Sequence, residues 1–530
     1  MSKNKNKTEE LSLESVLWNC RVSLRGFGST ERNRDAVIGL VFLKFAGDKF
    51  EKRRAQIEKE HPDLPMLIEM PASYNADNVY YLNETSRWSY IVKNASSADI
   101  AVKIDEAMRD IEKDNPSLTG TLPQNLYAAL GAPTSKIKSL IDEINKISEE
   151  RFHEEDLIGR VYEYFLQIYA ASGTKDDGEF YTPSSVVKLL TELIEPYDGV
   201  VYDPCCGSGG MFVQSMKFID RHKGNRNNIS IIGQESKPDT WKLCKMNLSI
   251  RGIAHDLGET NASTFTNDQF KNRKVDYILA NPPFNLKNWR NEDELKDDPR
   301  FEGYPTMPPV ANANYAWILH MISKLDASDG RAGFLLANGA LNASADEYQI
   351  RKEIIERDFV EAIIVLPRDM FYTTDISVTL WILNMNKSAK ELDGRKLRNR
   401  KNEVLFMDLR TWNENIEVIE IDKNKSKKKV SLTDEQIAKI KKIYHSWQEE
   451  NGAYKDIAEL CQSVSIGGLR DKDYSLAPSK YIEFIDRDLD IDYEKEMARI
   501  QKKMRDILKK EKESQTMMEE AFRGIGYGLD

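Results

Sequence analysis

The chain of 530 residues has only five cysteines, Cys20, Cys205, Cys206, Cys244 and Cys461, and none stands in a paired C-x-x-C set. An odd count without ligand spacing points to neither a disulfide framework nor a zinc site. Six histidines are scattered along the sequence, so no metal is expected. No run of 18 apolar residues occurs, which excludes a membrane-spanning helix. The opening MSKNKNKTEE has no apolar core for a signal peptide, so the cytoplasm is the expected compartment. There is no internal repeat and no Walker A pattern, so ATP-driven movement is not expected. Positive charge is also short: 76 Lys and Arg against 86 Asp and Glu leave a net charge of -10. Phosphate contacts supply most non-specific affinity for nucleic acid, so such a chain is a poor stand-alone DNA binder. A local basic groove or a basic partner can still supply the charge.

What is present separates into three regions, as the length requires. Residues 1–170 read as an N-terminal helical domain. There Val37, Leu40, Val41, Leu43 and Phe50 recur at helical spacing. Within it, segment 71–125 is punctuated by Pro, Asn and Ser and reads as loop-rich. Residues 171–410 alternate short β-branched runs with helical stretches. The runs are Val200–Asp203, Ile229–Gln234, Val275–Ala280, Ala332–Leu336, Glu361–Leu366, Val378–Leu383 and Val404–Met407. This alternation predicts an α/β fold, a Rossmann-like seven-stranded sheet with helices on both faces and an antiparallel edge. Residues 411–530 read as charged and helical, a C-terminal region ending in a tail. The run Lys423–Lys429 is read as a solvated lysine-rich loop. Thr433 and Gln436 form a capping-box pattern. Tyr493, Met497, Ile500, Met504 and Ile507 make a narrow apolar seam that resumes at Met518 and Ala521. Such a seam docks either on its own domain or on a partner helix, and the partner is favoured.

Three short motifs carry chemistry. Asp203-Pro204-Cys205-Cys206-Gly207-Ser208-Gly209-Gly210 follows a predicted strand and opens a helix. Glycines at a βα turn let the backbone approach a ligand closely, and the spacing is not the dinucleotide G-x-G-x-x-G. Asp203 at the strand end can face a cation, which suits the ammonium and sulfonium of S-adenosylmethionine. Glu235, at the end of the next strand, can accept hydrogen bonds from ribose hydroxyls. The third motif, Asn281-Pro282-Pro283-Phe284, directly follows the strand Val275–Ala280. Two prolines fix φ and stiffen the turn. The Asn281 side-chain oxygen and the Pro282 carbonyl can then both serve as acceptors for an exocyclic amine. That amine is a poor nucleophile, and two acceptors on its hydrogens help disperse positive charge in the transition state. Phe284 can stack on an extruded base.

In this order the motifs resemble amino-group DNA methyltransferases in which the cofactor motif precedes the catalytic one. Glu179-Phe180-Tyr181-Thr182-Pro183 looks like that family's first cofactor motif, whose Tyr, Thr and Pro enclose the methionine part. GRAGFLLANGAL and LPRDMFYTTDI resemble its later strand motifs. FEGYPTMPPVANANYAW and the N-terminal LWNCRVSLRG resemble type I restriction-modification modification (M) subunits, and the likeness covers essentially the whole chain. The resemblance implies methyl transfer from S-adenosylmethionine to adenine N6 in double-stranded DNA. It implies catalytic residues Asn281, Pro282, Pro283 and Phe284. For the cofactor it implies Glu179 to Pro183, Asp203, Cys205, Gly207, Ser208, Gly209, Gly210, Glu235, Ser263 and Asn281. It further implies a separate specificity (S) subunit, a second copy of this chain in an M2S1 complex, and optionally a restriction (R) subunit. One departure stands out: Ser263 occupies the place where relatives carry an acid or amide touching the adenine of the cofactor, with Asp268 as an alternative. The long segment 285–312, with Trp289, Arg290, Phe301 and Tyr304, is a candidate to meet the extruded nucleotide or its backbone.

Near neighbours fit less well. Pro204-Cys205 is like the nucleophile of cytosine-C5 enzymes, but it lies inside the cofactor loop. Cytosine-N4 enzymes more often carry Ser before Pro-Pro. Glutamine-N5 methyltransferases share Asn-Pro-Pro but lack the long N-terminal and C-terminal parts. A non-catalytic assembly subunit is the reading from another class, and intact motifs speak against it.

Overall fold

In the computed structural model the described residues are 13–75, 77, 79–148, 161, 164, 182–371, 375–392, 394–422, 425–485 and 493–524. The chain divides into two units, Met1–Ile482 and Glu483–Asp530.

The first part is helical. Thr30–Glu60 is the long central helix, opened by the Ser29 hydroxyl accepting from the Arg32 amide. Val37, Leu40, Val41, Leu43 and Phe50 are all fully buried on it, as their spacing predicts. Leu13–Leu24, Ile100–Asp114 and Thr134–Ile144 pack around the same core. Segment 71–125 is therefore less loop-like than expected. Ile100, Ile104, Ala107, Met108 and Ile111 bury one stripe of a 15-residue helix inside it.

The second part is a nine-stranded sheet. Its strands are β1 (Gly199–Asp203), β2 (Ile229–Gly233), β3 (His255–Asp256), β4 (Tyr277–Ala280), β5 (Arg331–Ala337), β6 (Val360–Val365) and β7 (Val378–Asn384). After a short pair, β8 (Lys390–Leu392) and β9 (Arg395–Leu397), comes β10 (Glu403–Asp408). A hairpin, β11 (Ile416–Asp422) and β12 (Lys425–Val430), precedes the last strand, β13 (Cys461–Ser465). The sheet order is β13-β10-β6-β7-β5-β4-β1-β2-β3. All seven expected strands are present. The expected antiparallel edge is present, and a further antiparallel strand lies inside the sheet: β7, between β5 and β6 and antiparallel to both. All seven of its residues are buried, which suits a strand covered on both faces. The antiparallel edge is β13, paired with β10.

The region after 410 also contains strands. The lysine-rich run is not a loop where it is described: Lys425–Val430 pairs with Ile416–Asp422 in register Glu417↔Lys429 and Val418↔Lys428. The capping box at Thr433 forms as expected, with Gln436 amide to Thr433 hydroxyl at 3.2 Å and Thr433 amide to Gln436 side chain at 2.9 Å. It opens the helix Asp434–Gln448.

The helix Pro238–Ile250 belongs to both parts. Leu243, Met246 and Ile250 enter the N-terminal core, while Cys244 and Leu248 enter the core of the sheet. Lys49 Nζ from the N-terminal domain donates to the Ile250 carbonyl at 3.0 Å, placing a cation at the C-terminus of that helix. In the second unit, Tyr493–Gly524 is a single helix of 32 residues with none buried. Among the described residues no helix is long and apolar enough to cross a membrane.

Candidate active site

β1 is flanked by β2 on one side and β4 on the other. The chain winds outward in both directions from this point. Ligands in open α/β sheets bind beyond the carboxyl ends of strands at such a switch point. The glycine loop leaves β1 here, and the proline turn leaves β4 beside it.

The glycine loop is held from several sides. Asp203 Oδ1 accepts the Cys205 amide at 3.0 Å, and Glu235 accepts the Gly207 amide at 3.1 Å and the Lys237 amide at 2.9 Å. Gly207 and Gly209 have φ of 53° and 84°, the left-handed region that glycine enters without strain. A Cβ at Gly209 would lie 2.9 Å from Cys244 Sγ. Asn247 Nδ2 donates to the Ser208 carbonyl at 2.8 Å. Gly210 begins the helix Gly210–Arg221. Cys244 and Asn247 were not foreseen from the sequence. The signal was a polar residue and a thiol on the inner face of an amphipathic helix.

Two carboxylates thus meet in a buried corner. Burial pushes Asp203 up to about 7, against hydrogen bonds from Cys205 and with Glu235 adding repulsion. Burial also raises Glu235, against amide hydrogen bonds from Lys237 and Gly207. Such a pair gains from a cationic guest, so the acids fit an ammonium or sulfonium group. Burial, Asp203 and Glu235 hold the Cys205 thiol far above its ordinary range, which leaves it inert as a nucleophile.

The proline turn sits against this corner. The Asn281 backbone lies close enough to Cys205 to lower its thiol against the effect of burial. Asn281 Nδ2 donates to Thr182 Oγ1 at 2.9 Å, whereas its Oδ1 is shielded from water and has no hydrogen-bond partner among the described residues. Pro282 is buried, and Phe284 is half-buried with its ring edge-on to Phe371 at 6.1 Å. The structure therefore gathers Thr182, Asp203, Cys205, Gly207, Glu235 and Asn281 in one place. Pro183 precedes the helix Ser184–Ile194. Glu179, Phe180 and Tyr181 lie outside the described residues.

The other candidates divide: Ser263 stays beside the β2 loop, where the neighbouring Ala262 amide donates to the Glu235 carbonyl at 2.8 Å, and the rest are held by partners of their own. The Ser263 hydroxyl accepts the Thr266 amide at 3.4 Å. Asp268, its alternative, is buried in an ion pair with Lys324 at 2.6 Å and caps the Phe270 amide, so it is committed to structure. In segment 285–312, Trp289 and Phe301 are buried against one another, and Trp289 also packs on Phe265. Arg290 donates to the carbonyls of Asn291, Glu292 and Pro308. Arg357 lies over the Tyr304 ring. Segment 285–312 is thus folded on itself, and Arg300 ties it to the carbonyls of Thr264 and Phe265. Among the described residues no group of three or more His, Cys, Asp or Glu is placed to hold a metal.

Comparison with known proteins agrees with this geometry. The family described as N-6 DNA Methylase matches residues 153–489, and the HsdM N-terminal domain matches residues 13–144. The chain is 37% identical to the type I restriction enzyme HindI methylase subunit of Haemophilus influenzae, covering 86% of this chain and 100% of the relative. It is 32% identical to the MjaIX methylase subunit of Methanocaldococcus jannaschii, covering 97% and 91%. The fold is shared with a type I methyltransferase subunit from Streptococcus thermophilus, with TM-score 0.68, 24% identity and coverage of 89% and 99%. A modification subunit from Vibrio vulnificus aligns with TM-score 0.60, 19% identity and coverage of 85% and 91%. The chain belongs to the N-6 DNA methylase family and, within it, to the methylase subunits of type I restriction enzymes, which methylate adenine N6 in DNA.

Proposed function

We propose that Asn281 and Pro282 present two acceptors to the N6 amine of an adenine extruded from duplex DNA, beside an S-adenosylmethionine held by the β1 and β2 loops. The observation that carries this reading is the Asn281 amide: one end is tied to Thr182, and the other is a buried acceptor with no hydrogen-bond partner among the described residues. Buried polar atoms are nearly always paired, so an orphan at a strand end is accounted for by a ligand donor. Asp203 faces the cationic methionine part, and Glu235 takes the ribose hydroxyls. Gly207, Ser208, Gly209 and Gly210 give backbone access, with Cys205, Pro183 and Ser263 at the rim. Glu179, Phe180 and Tyr181 complete the site by resemblance. S-adenosylmethionine supplies an activated methyl group on sulfur. The chain's own residues would hold the amine in line with that methyl and stabilise positive charge on nitrogen as the new N–C bond replaces the S–C bond, the thioether leaves and one N–H proton passes to solvent. Phe284 stacks on the base, and no covalent enzyme intermediate is needed.

The functional division we propose is a helical N-terminal domain over 1–170, a catalytic domain over 171–410 whose sheet is completed by β13, and a region over 411–530 that includes the partner-binding helix. The reading includes a separate specificity subunit that selects the sequence and grips the apolar seam of the Tyr493–Gly524 helix. Two copies of this chain join one such subunit, and a restriction subunit is optional. The net charge of -10 supports a partner that brings the positive charge DNA requires.

Asn281→Ala tests the assignment. Cofactor affinity by calorimetry should stay near the wild-type value, while methylation of DNA by the assembled complex should fall about 100-fold or more. Undiminished methylation would end this reading.

A further inference from the structure

An asparagine amide has nearly the same shape at both ends, and rotation by half a turn exchanges an acceptor for a donor. Only one of the two settings suits an amine target. With Oδ1 forward, the amide accepts an N–H of the base. With Nδ2 forward, a donor faces a donor. Something must select the setting before substrate arrives.

We propose that Thr182 is the positioning residue that sets the Asn281 amide acceptor-forward; this rests on the reading of Asn281 given above. Asn281 Nδ2 donates to Thr182 Oγ1 at 2.9 Å across 99 residues of sequence, and Oδ1 has no hydrogen-bond partner among the described residues. A hydroxyl accepts or donates, so the choice depends on which end is left over. Reversing the amide would leave an N–H orphaned in place of a carbonyl oxygen. Orphaned buried N–H groups are the rarer and costlier case. The hydroxyl therefore holds Nδ2 and leaves the acceptor free. The resemblance assigns Thr182 to the wall around the methionine part. The structure gives its hydroxyl a second task, directed at the catalytic amide.

The backbone at Thr182 fits that task. It lies immediately before Pro183, whose ring restricts the preceding residue to extended conformations. Pro183 in turn leads into Ser184–Ile194, where Val186, Val187, Leu189 and Leu190 are buried in the core of the sheet. The hydroxyl is thus mounted on a fixed corner.

The test uses the full chain assembled with its specificity subunit on a DNA substrate. Thr182→Val keeps the branched shape and removes the hydroxyl; Thr182→Ser keeps the hydroxyl. Thr182→Val should lower the single-turnover methylation rate about tenfold, the worth of one orienting hydrogen bond. Its affinity for S-adenosylmethionine, by calorimetry, should change by less than about threefold, and its Tm should match wild type. Thr182→Ser should methylate within about threefold of wild type. A wild-type rate in Thr182→Val overturns the proposal. So does a loss confined to cofactor affinity, or an equal loss in Thr182→Ser, which would assign the effect to packing. If Thr182→Val misfolds, Thr182→Ser together with Thr182→Ala decides: retention in the first and loss in the second supports the hydroxyl, and equal rates overturn it. Asn281→Ala separates this idea from its parent. A dead Asn281→Ala with an active Thr182→Val sinks only the positioning role.

Discussion

Asp203 makes the proposed cofactor corner measurable by titration. Its carboxyl is pushed up to about 7 by burial, with Glu235 adding repulsion. A bound cation reverses that shift, so binding of S-adenosylmethionine should expel a proton near neutrality. Affinity should therefore rise from pH 6 to pH 8 and level off above, and the calorimetric heat at pH 7 should vary with the ionisation enthalpy of the buffer. A flat affinity across that range would remove Asp203 from the cofactor site. The same shift has a stability sign. In the unfolded chain the carboxyl ionises near 4, while in the native chain it keeps its proton to about 7. Its contribution is present in full below about 4 and is lost as pH rises to about 7. Gly209 is a second test at this scale. Its φ of 84° and the 2.9 Å approach of Cys244 Sγ leave no room for a methyl group. Gly209→Ala should cost about 1–2 kcal/mol in chemical denaturation and weaken cofactor binding. Retention of both would show that the loop can move.

Among the elements, legibility followed the strength of the local pattern. β1, β4 and the turns that follow them were readable because motif and strand are contiguous: Asp203 and Asn281 each end a short apolar run. The helix Ile100–Asp114 was obscured by flanking Pro and Asn, although its buried residues keep helical spacing. β12 was hidden by its lysines, and only its pairing with β11 explains it. β13, Cys461–Ser465, has little apolar content and takes its place as an edge by pairing with β10. The Thr182–Asn281 bond was illegible because nothing local encodes a contact across 99 residues. The Tyr493–Gly524 helix was legible, since its seam is its only pattern. Met497, Ile500, Met504 and Ile507 are all at least 36% exposed. An exposed apolar stripe of this length marks an interaction surface. Ile500→Glu with Ile507→Glu should leave the Tm of the catalytic part unchanged and abolish co-purification with the proposed specificity subunit. Intact assembly in the double variant would move the partner site elsewhere.

Across the described residues, the helical domain and the sheet share one helix. Leu243, Met246 and Ile250 of Pro238–Ile250 complete the N-terminal core, and Cys244 and Leu248 on the same helix complete the other. That helix also carries Asn247, which fixes the Ser208 carbonyl in the glycine loop. Loss of the N-terminal core therefore exposes three apolar side chains on the element that supports the cofactor corner. Each such side chain is worth about 1.5–3 kcal/mol when buried. Neither part can open without exposing the other, so residues 13–482 should unfold in one calorimetric transition. Met246→Ala should lower that transition as a whole, by about 2–3 kcal/mol, with no new shoulder. It should also reduce cofactor affinity, because the helix behind Ser208 loosens with the core it anchors. Two separable transitions in the wild-type chain, or a Met246→Ala effect limited to one of them, would mean that the domains are independent and that the shared helix transmits nothing.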